Sequence, residues 1–207
     1  MIKNFITIIF QVLLIPLANS QSSYQYFFFG GVSITNVHEF WYGERLFFIS
    51  PPRPYYELNF HGGMGVQRAL NKKLDIRLCL GFERKGAAQT GFNQENDSFA
   101  DFVILPASVF YRPTRSEIVK LEFGLSSNML IHDKNLFGEA FRTFEFASIL
   151  GIEFRIIKNL CFGMRWIEPF NYMKENSNLS PNPNPISLDW KQKTQSFQFS
   201  GIYQLSL

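Results

Sequence analysis

The sequence predicts an all-β fold, an eight-stranded antiparallel up-and-down transmembrane β-barrel. Three observations carry this expectation. Apolar residues recur with period two nearly throughout, the segments between those runs alternate long and short, and beyond residue 21 no apolar run is long enough for a membrane helix. An outer-membrane protein must cross the inner membrane without stopping, so it spreads its apolar residues over alternating strands.

Residues 1–20 read as a signal peptide. Lys3 gives a positive start, residues 5–17 an apolar stretch, and Ala18 and Ser20 the small residues ahead of cleavage before Gln21. A transmembrane anchor is the competing reading, but this run falls short of the ~20 residues a spanning helix needs. No Cys follows it, which argues against a lipoprotein. The remainder, 21–207, fits one domain, long enough to close a core without metals or disulfides. Aromatic residues make up 17% of the chain, mostly Phe, and mean hydropathy is near zero. An ordinary soluble core does not need so many rings. The formal charge of +3 falls to about +2 once Lys3 leaves, too small to suggest nucleic acid as a partner.

Eight strands are expected at 24–35, 55–68, 74–85, 99–111, 117–131, 142–156, 160–171 and 194–207. Ten residues at ~3.3 Å each, tilted by ~40°, rise about 25 Å, the height of an outer-membrane apolar band. The connections 36–54, 86–98, 132–141 and 172–193 are long, and 69–73, 112–116 and 157–159 are short. Short periplasmic turns and longer external loops in this order suit a barrel with both termini in the periplasm; a soluble lipocalin-like barrel has no reason to alternate so regularly.

The placement of charge sets the facing. In the third strand Leu74, Ile76, Leu78, Leu80 and Phe82 oppose Asp75, Arg77, Cys79, Gly81 and Glu83. The fifth sets Val119, Leu121, Phe123 and Leu125 against Lys120, Glu122, Gly124 and Ser126. In the sixth and seventh, Phe144, Phe146, Leu150, Ile152, Phe154, Leu160, Phe162, Met164 and Trp166 oppose Glu145, Glu153, Arg155 and Arg165. The last sets Phe197, Phe199, Tyr203, Leu205 and Leu207 against Gln198, Ser200, Gln204 and Ser206. Charges of the apolar parity (Arg84, Glu117, Arg142, Glu168) stand only at strand ends. A charge costs ~2–4 kcal/mol at the bilayer midplane and ~0–1 at the interface, so the apolar face is assigned to lipid. The first, second and fourth strands alternate less cleanly. The fourth is apolar on both sides, Phe102, Ile104, Pro106 and Phe110 against Val103, Leu105 and Val109, and its facing is left open.

The stretches LDIRLCLGFERKG at 74–86, the Pro106 strand followed by EFGL at 122–125, ASILGIEFRIIKNLCFGMR at 147–165 and FQFSGIYQLSL at 197–207 resemble the PorT-like outer-membrane β-barrel family of Bacteroidetes. The resemblance spans most of the chain from Tyr55 onward. It implies a fold and an address, not a reaction; some members are similar to accessory parts of protein-secretion or gliding machinery. Two departures stand out. Trp166-Ile167-Glu168-Pro169-Phe170 replaces the family's usual Gly-Leu-Thr-Asn-like turn, and the chain ends on Leu207 where such barrels typically end on an aromatic.

The inward parity gathers Asp75, Arg77, Glu83, Lys120, Glu122, Glu145, Glu153, Arg155 and Arg165. They are expected to form a charge network rather than a conduction path or an acid/base site, because eight strands leave an interior just wide enough for side chains and buried charges persist when paired. His38 and His132 are expected in external loops and His61 on a strand, with no nucleophile motif near any of them. Gly62-Gly63-Met64-Gly65 lacks the Lys and the helix of a phosphate loop and reads as a bend in a strand. Cys79 and Cys161 fall on opposite strands and are expected as free thiols. No spacing suggests a metal or a cofactor.

The expected functional surfaces are the external loops. Loop one carries Phe40, Trp41, Tyr42, Phe47 and Phe48, and loop four carries Pro181, Pro183, Pro185 and Trp190. The expected partners are outer-membrane lipids, proteins at the extracellular loops, and the barrel-assembly machinery during biogenesis. The leading expectation is a non-enzymatic barrel acting through its loops as envelope scaffold, adhesin or secretion accessory. A lipid-modifying enzyme, deacylase or acyltransferase, is the runner-up.

Overall fold

The computed structural model describes residues 24–42, 55–91, 94–113, 118–134, 144–171, 174–176 and 189–205. The expected signal peptide and the terminal Leu207 lie outside them. Nine strands follow one another: β1 Tyr24–Tyr42, β2 Tyr55–Ala69, β3 Leu74–Gly91, β4 Gln94–Tyr111, β5 Val119–Lys134, β6 Phe144–Ile157, β7 Leu160–Pro169, β8 Lys174–Asn176 and β9 Asp189–Gln204. Each long strand pairs antiparallel with the next, β7 with β9, and β9 closes onto β1 from Phe27↔Gln204 to Tyr42↔Asp189. The result is a closed eight-stave barrel; β8 only flanks the far end of β9.

Short turns join β2 to β3, β4 to β5 and β6 to β7 at the periplasmic end. The first is held by Asn71, whose side-chain oxygen accepts from the Lys73 and Leu74 amides at 2.8 and 2.9 Å, the local bonding that makes Asn a turn residue.

Outside, the barrel is an apolar belt. Leu58, Leu125, Leu150, Phe123, Phe146, Trp166 and Phe60 are each more than half exposed, a continuous surface far larger than a soluble monomer tolerates. Polar groups on this outer face mark the two edges. At the extracellular edge Arg84 holds Asp101 through two hydrogen bonds of 2.7 and 3.0 Å, and Gln195 donates to Glu168 at 2.6 Å. At the periplasmic edge Tyr24, Tyr111 and Tyr203 form part of an aromatic girdle. Among the described residues no helix is long and apolar enough to cross a membrane; this chain crosses with strands. It is an outer-membrane β-barrel.

Several strands run beyond their expected ends. Residues 86–91 and 94–98, expected within a loop, continue the β3–β4 ladder through Ala87↔Ser98 to Gly91↔Gln94. His38 lies in β1 opposite Lys193, and His132 in β5 opposite Asp101, so neither is a loop residue. Above the membrane no lipid-facing alternation is required, and polar, small-residue sequence there hides a strand that backbone pairing still supports.

Candidate functional site

The inward side chains form three tiers. Nearest the periplasm, Arg77 Nη1 lies 2.7 Å from Glu153 Oε2 across the lumen, while its Nε and Nη2 donate to Gln67 Oε1 at 3.1 and 2.6 Å. The guanidinium carbon of the same residue lies 4.0 Å from the Phe110 ring centroid and 4.5 Å from that of Phe27, so aromatic rings as well as polar partners hold this cation. Asp75 accepts from Gln67 Nε2 at 2.9 Å, meets Lys120 Nζ at 3.2 Å, and is reached by Arg112 from the β4–β5 turn.

In the middle tier Arg165 Nε donates to Glu122 Oε2 at 2.7 Å, with Phe29 5.8 Å from its guanidinium carbon. Beside it His61 Nε2 and Ser200 Oγ are 2.7 Å apart. The extracellular tier centres on Lys85, which pairs with Glu145 and lies 3.8 Å from Glu83. Glu83 accepts from Ser196 Oγ and Gln198 Nε2, each at 2.8 Å. Glu145 accepts from Asn128 Nδ2 at 2.7 Å and Thr194 Oγ1 at 3.1 Å.

Eight of the nine sequence-selected charges, Asp75, Arg77, Glu83, Lys120, Glu122, Glu145, Glu153 and Arg165, are buried inside. Arg155, the ninth, is half-buried near the periplasmic end of β6. Sequence reasoning missed Lys85, whose parity matches Asp75 and Arg77. It also missed the His61–Ser200 contact. The two residues are 139 positions apart, so no local motif points to it, and a nucleophile does stand beside a His. Both are almost wholly buried, and no carboxylate orients the His61 ring: Nδ1 has no hydrogen-bond partner.

Strands one and four depart from the apolar-out pattern because they supply the rings. Phe27, Phe29, Phe102 and Phe110 face inward and are at most 6% exposed. Inward glycines make room for them: a Cβ on Gly65 would sit 2.4 Å from Phe27 Cζ, and one on Gly81 2.9 Å from Phe29 Cζ. Clearance for a ring is therefore a local reason for glycine at 65, whereas a Cβ on Gly63 would first meet the neighbouring strand, the Leu80 carbonyl oxygen at 2.3 Å and Gly81 Cα at 2.5 Å, and then Phe29 Cζ at 2.9 Å. Cys79 and Cys161 are both buried, unbonded thiols within one apolar cluster.

The extracellular end corrects the expected loop surface. Phe40, Trp41 and Tyr42 belong to β1 and Trp190 to β9. Their backbones pair as Phe40↔Lys191, Trp41↔Trp190 and Tyr42↔Asp189, with Asn176 of β8 opposite Trp190 on the other side. The described parts of two segments read as separate loops, 36–42 with 174–176 and 189–193, thus pair in one three-stranded extension. Phe47 and Phe48, with the loop prolines, lie outside the described residues. Lys85–Gly91 adds a second extension with β4. Seven residues at ~3.3 Å, tilted by ~40°, rise roughly 18 Å, so β3 reaches well clear of the Arg84–Asp101 edge.

No family model matches the chain, and no curated protein matches it. Among solved structures it is similar to Ail, the attachment invasion locus protein of Yersinia pestis, at 12% identity over 88% of this chain and 99% of that one, TM-score 0.45. It is similar to the neisserial surface protein NspA at 8% identity over 87% and 97%, TM-score 0.49. It is also similar to the outer-membrane protein OprG of Pseudomonas aeruginosa at 13% identity over 90% and 98%, TM-score 0.48.

Proposed function

We propose that this outer-membrane barrel is a non-enzymatic binding platform whose extracellular extension engages a protein partner, as an adhesin, an envelope scaffold or an accessory of protein secretion. The observation that carries the reading is the three-stranded ladder of β1, β9 and β8, which brings the aromatic segment 40–42 and Trp190 together above the membrane. The interior supports it from the other side. Ion pairs such as Arg77–Glu153 cross the lumen and leave its charges engaged with each other, so a stable path for solutes has little room. The stretches at 74–86 and 147–165 favour a PorT-like barrel of Bacteroidetes, some members of which are similar to accessory parts of secretion or gliding machinery, and this keeps the secretion accessory beside the adhesin and the scaffold. On this reading residues 1–20 are removed on export and assembly uses the barrel-assembly machinery.

The runner-up, a lipid-modifying enzyme, has one observation in its favour, the His61–Ser200 contact. Burial of both residues within the barrel keeps them from a lipid ester.

Deleting the gene and comparing secreted proteins with the mass profile of lipid A separates the readings. Lost secretion supports the secretion accessory, neither change leaves the adhesin or the scaffold, and altered lipid A acyl chains with normal secretion would replace the platform with the enzyme. In planar bilayers the purified protein is expected to form no stable large channels.

A further inference from the structure

The periplasmic half of the lipid-facing wall is not smooth. A concavity of about 760 Å³ lies across β2–β5, within the range of roughly 300–1,000 Å³ typical of ligand sites. Ala107, a small exposed residue of its lining, has as register partners Leu78 on β3 and Leu125 on β5, which line it too. Ile76, Val109 and Phe123 form the next row toward the periplasm, and all three are at least 40% exposed. The barrel wall dips there because Ala107 is flanked by larger side chains and backed inside by Ser108 and Gly124.

The groove ends at a charge. Arg68 and Tyr24 line its periplasmic edge, with the guanidinium 5.4 Å over the Tyr24 ring and Nη1 donating to the phenol oxygen at 3.4 Å. Arg68 stays exposed beyond this contact, and the adjoining turn exposes Lys72 and Lys73. Among the described residues of the three periplasmic turns and the strand ends beside them, every exposed charge is basic; Lys158 is the fourth. The nearby carboxylate, Asp75, is buried inside and occupied by Lys120 and Arg112.

An apolar groove within the hydrocarbon layer that leads to a basic rim at headgroup level has the polarity of a lipid. We propose that this wall holds one anionic phospholipid of the periplasmic leaflet, an acyl chain lying over Ala107 and the phosphate at Arg68 and the Lys72–Lys73 turn. Selection comes from charge and shape together. Cations near a membrane surface favour anionic lipid by roughly fivefold each, so three of them give a preference of about 100-fold over a zwitterionic lipid of identical chains. This site is independent of the extracellular platform, and either can fail without the other.

The test is native mass spectrometry of the full-length protein released from micelles containing equal amounts of dioleoyl phosphatidylglycerol and dioleoyl phosphatidylcholine. The wild type is expected to retain one phosphatidylglycerol preferentially. Arg68→Gln with Lys72→Gln and Lys73→Gln is expected to lose the headgroup preference. Ala107→Phe, which fills the groove at an exposed position, is expected to lose the bound lipid, and the smaller filler Ala107→Leu to weaken it, both keeping the heat-dependent gel shift of a folded barrel. Phe146→Ala on β6, on another part of the belt, is expected to bind as the wild type does. Equal retention of the two lipids by the wild type, unchanged retention by folded Ala107→Phe, or the same loss in Phe146→Ala would overturn the proposal.

Discussion

Consider removing one member of the Arg165–Glu122 pair. Glu122→Gln keeps the shape of the side chain and deletes its charge, leaving a guanidinium that is 4% exposed and 2.7 Å from a neutral amide. At an effective dielectric of about 20, two unit charges at that separation attract by about 6 kcal/mol, but burying both ions costs several kcal/mol each, so the intact pair is near balance. A single deletion leaves the burial cost without the attraction and is expected to cost about 3–5 kcal/mol. Arg165→Met strands the carboxylate in the same way. Glu122→Gln with Arg165→Met removes both charges and is expected to recover most of the loss, giving a coupling of roughly 3 kcal/mol or more in a double-mutant cycle. Urea unfolding from lipid vesicles, followed by tryptophan fluorescence and heat-dependent gel mobility, supplies the four free energies. Single substitutions that each cost under ~1 kcal/mol, or costs that simply add, would refute the view that these charges stand in for each other's solvent.

Three further outcomes follow from the same geometry. Gly65→Val places its Cβ against Phe27 Cζ and 2.7 Å from the Leu78 carbonyl oxygen; overpacking of this kind is expected to cost about 1–3 kcal/mol. Gly30→Ala, whose nearest atom is 3.8 Å away, is expected to cost less in the same urea titration. Leu125→Arg, near the middle of the belt, is expected to destabilise by about 2–4 kcal/mol and Ile131→Arg, at the extracellular edge, by about 0–1; equal costs would mean the belt has been placed wrongly. Cys79 and Cys161 are expected to resist a thiol reagent in the folded barrel and to give two adducts by intact mass after unfolding, where a single adduct or none would contradict two buried free thiols.

The sequence made the belt legible because lipid imposes a strict rule on one face only. β3, β5, β6, β7 and β9 obey it, and their charges of inward parity, such as Asp75, Arg77, Glu122, Glu145 and Arg165, are buried inside, while Arg84 and Glu168 face outward at the edge. β1 and β4 were opaque for a physical reason. Arg77 is held by rings as well as by Glu153, and the rings come from Phe27 and Phe110, so these strands are apolar inside as well as out. A period-two reading cannot separate a ring that faces lipid from one that faces a guanidinium. The paired inward glycines at 63 and 65, opposite β1, are the sequence signal that large side chains enter there. Strand ends above the membrane were missed because nothing in that setting enforces alternation. The His61–Ser200 contact spans β2 and β9 and exists only through barrel closure.

That dependence on closure reaches further. Arg77–Glu153 and Lys85–Glu145 join β3 to β6, Glu83 is bonded by side chains of β9, and Arg165–Glu122 joins β7 to β5. None of these links lies between neighbouring strands, so a growing hairpin gains none of them by adding the next strand. The long-range ion pairs form only as the sheet curls across the lumen. Half-built intermediates therefore hold ionised groups short of their full set of partners, and a chain lacking its last strand loses the Ser196 and Gln198 partners of Glu83 as well as the seam. The lumen thus acts as a partial check on assembly: contacts such as Arg77–Gln67 form between neighbouring strands, but the bonds from Ser196 and Gln198 to Glu83 are made only once β9 is in place.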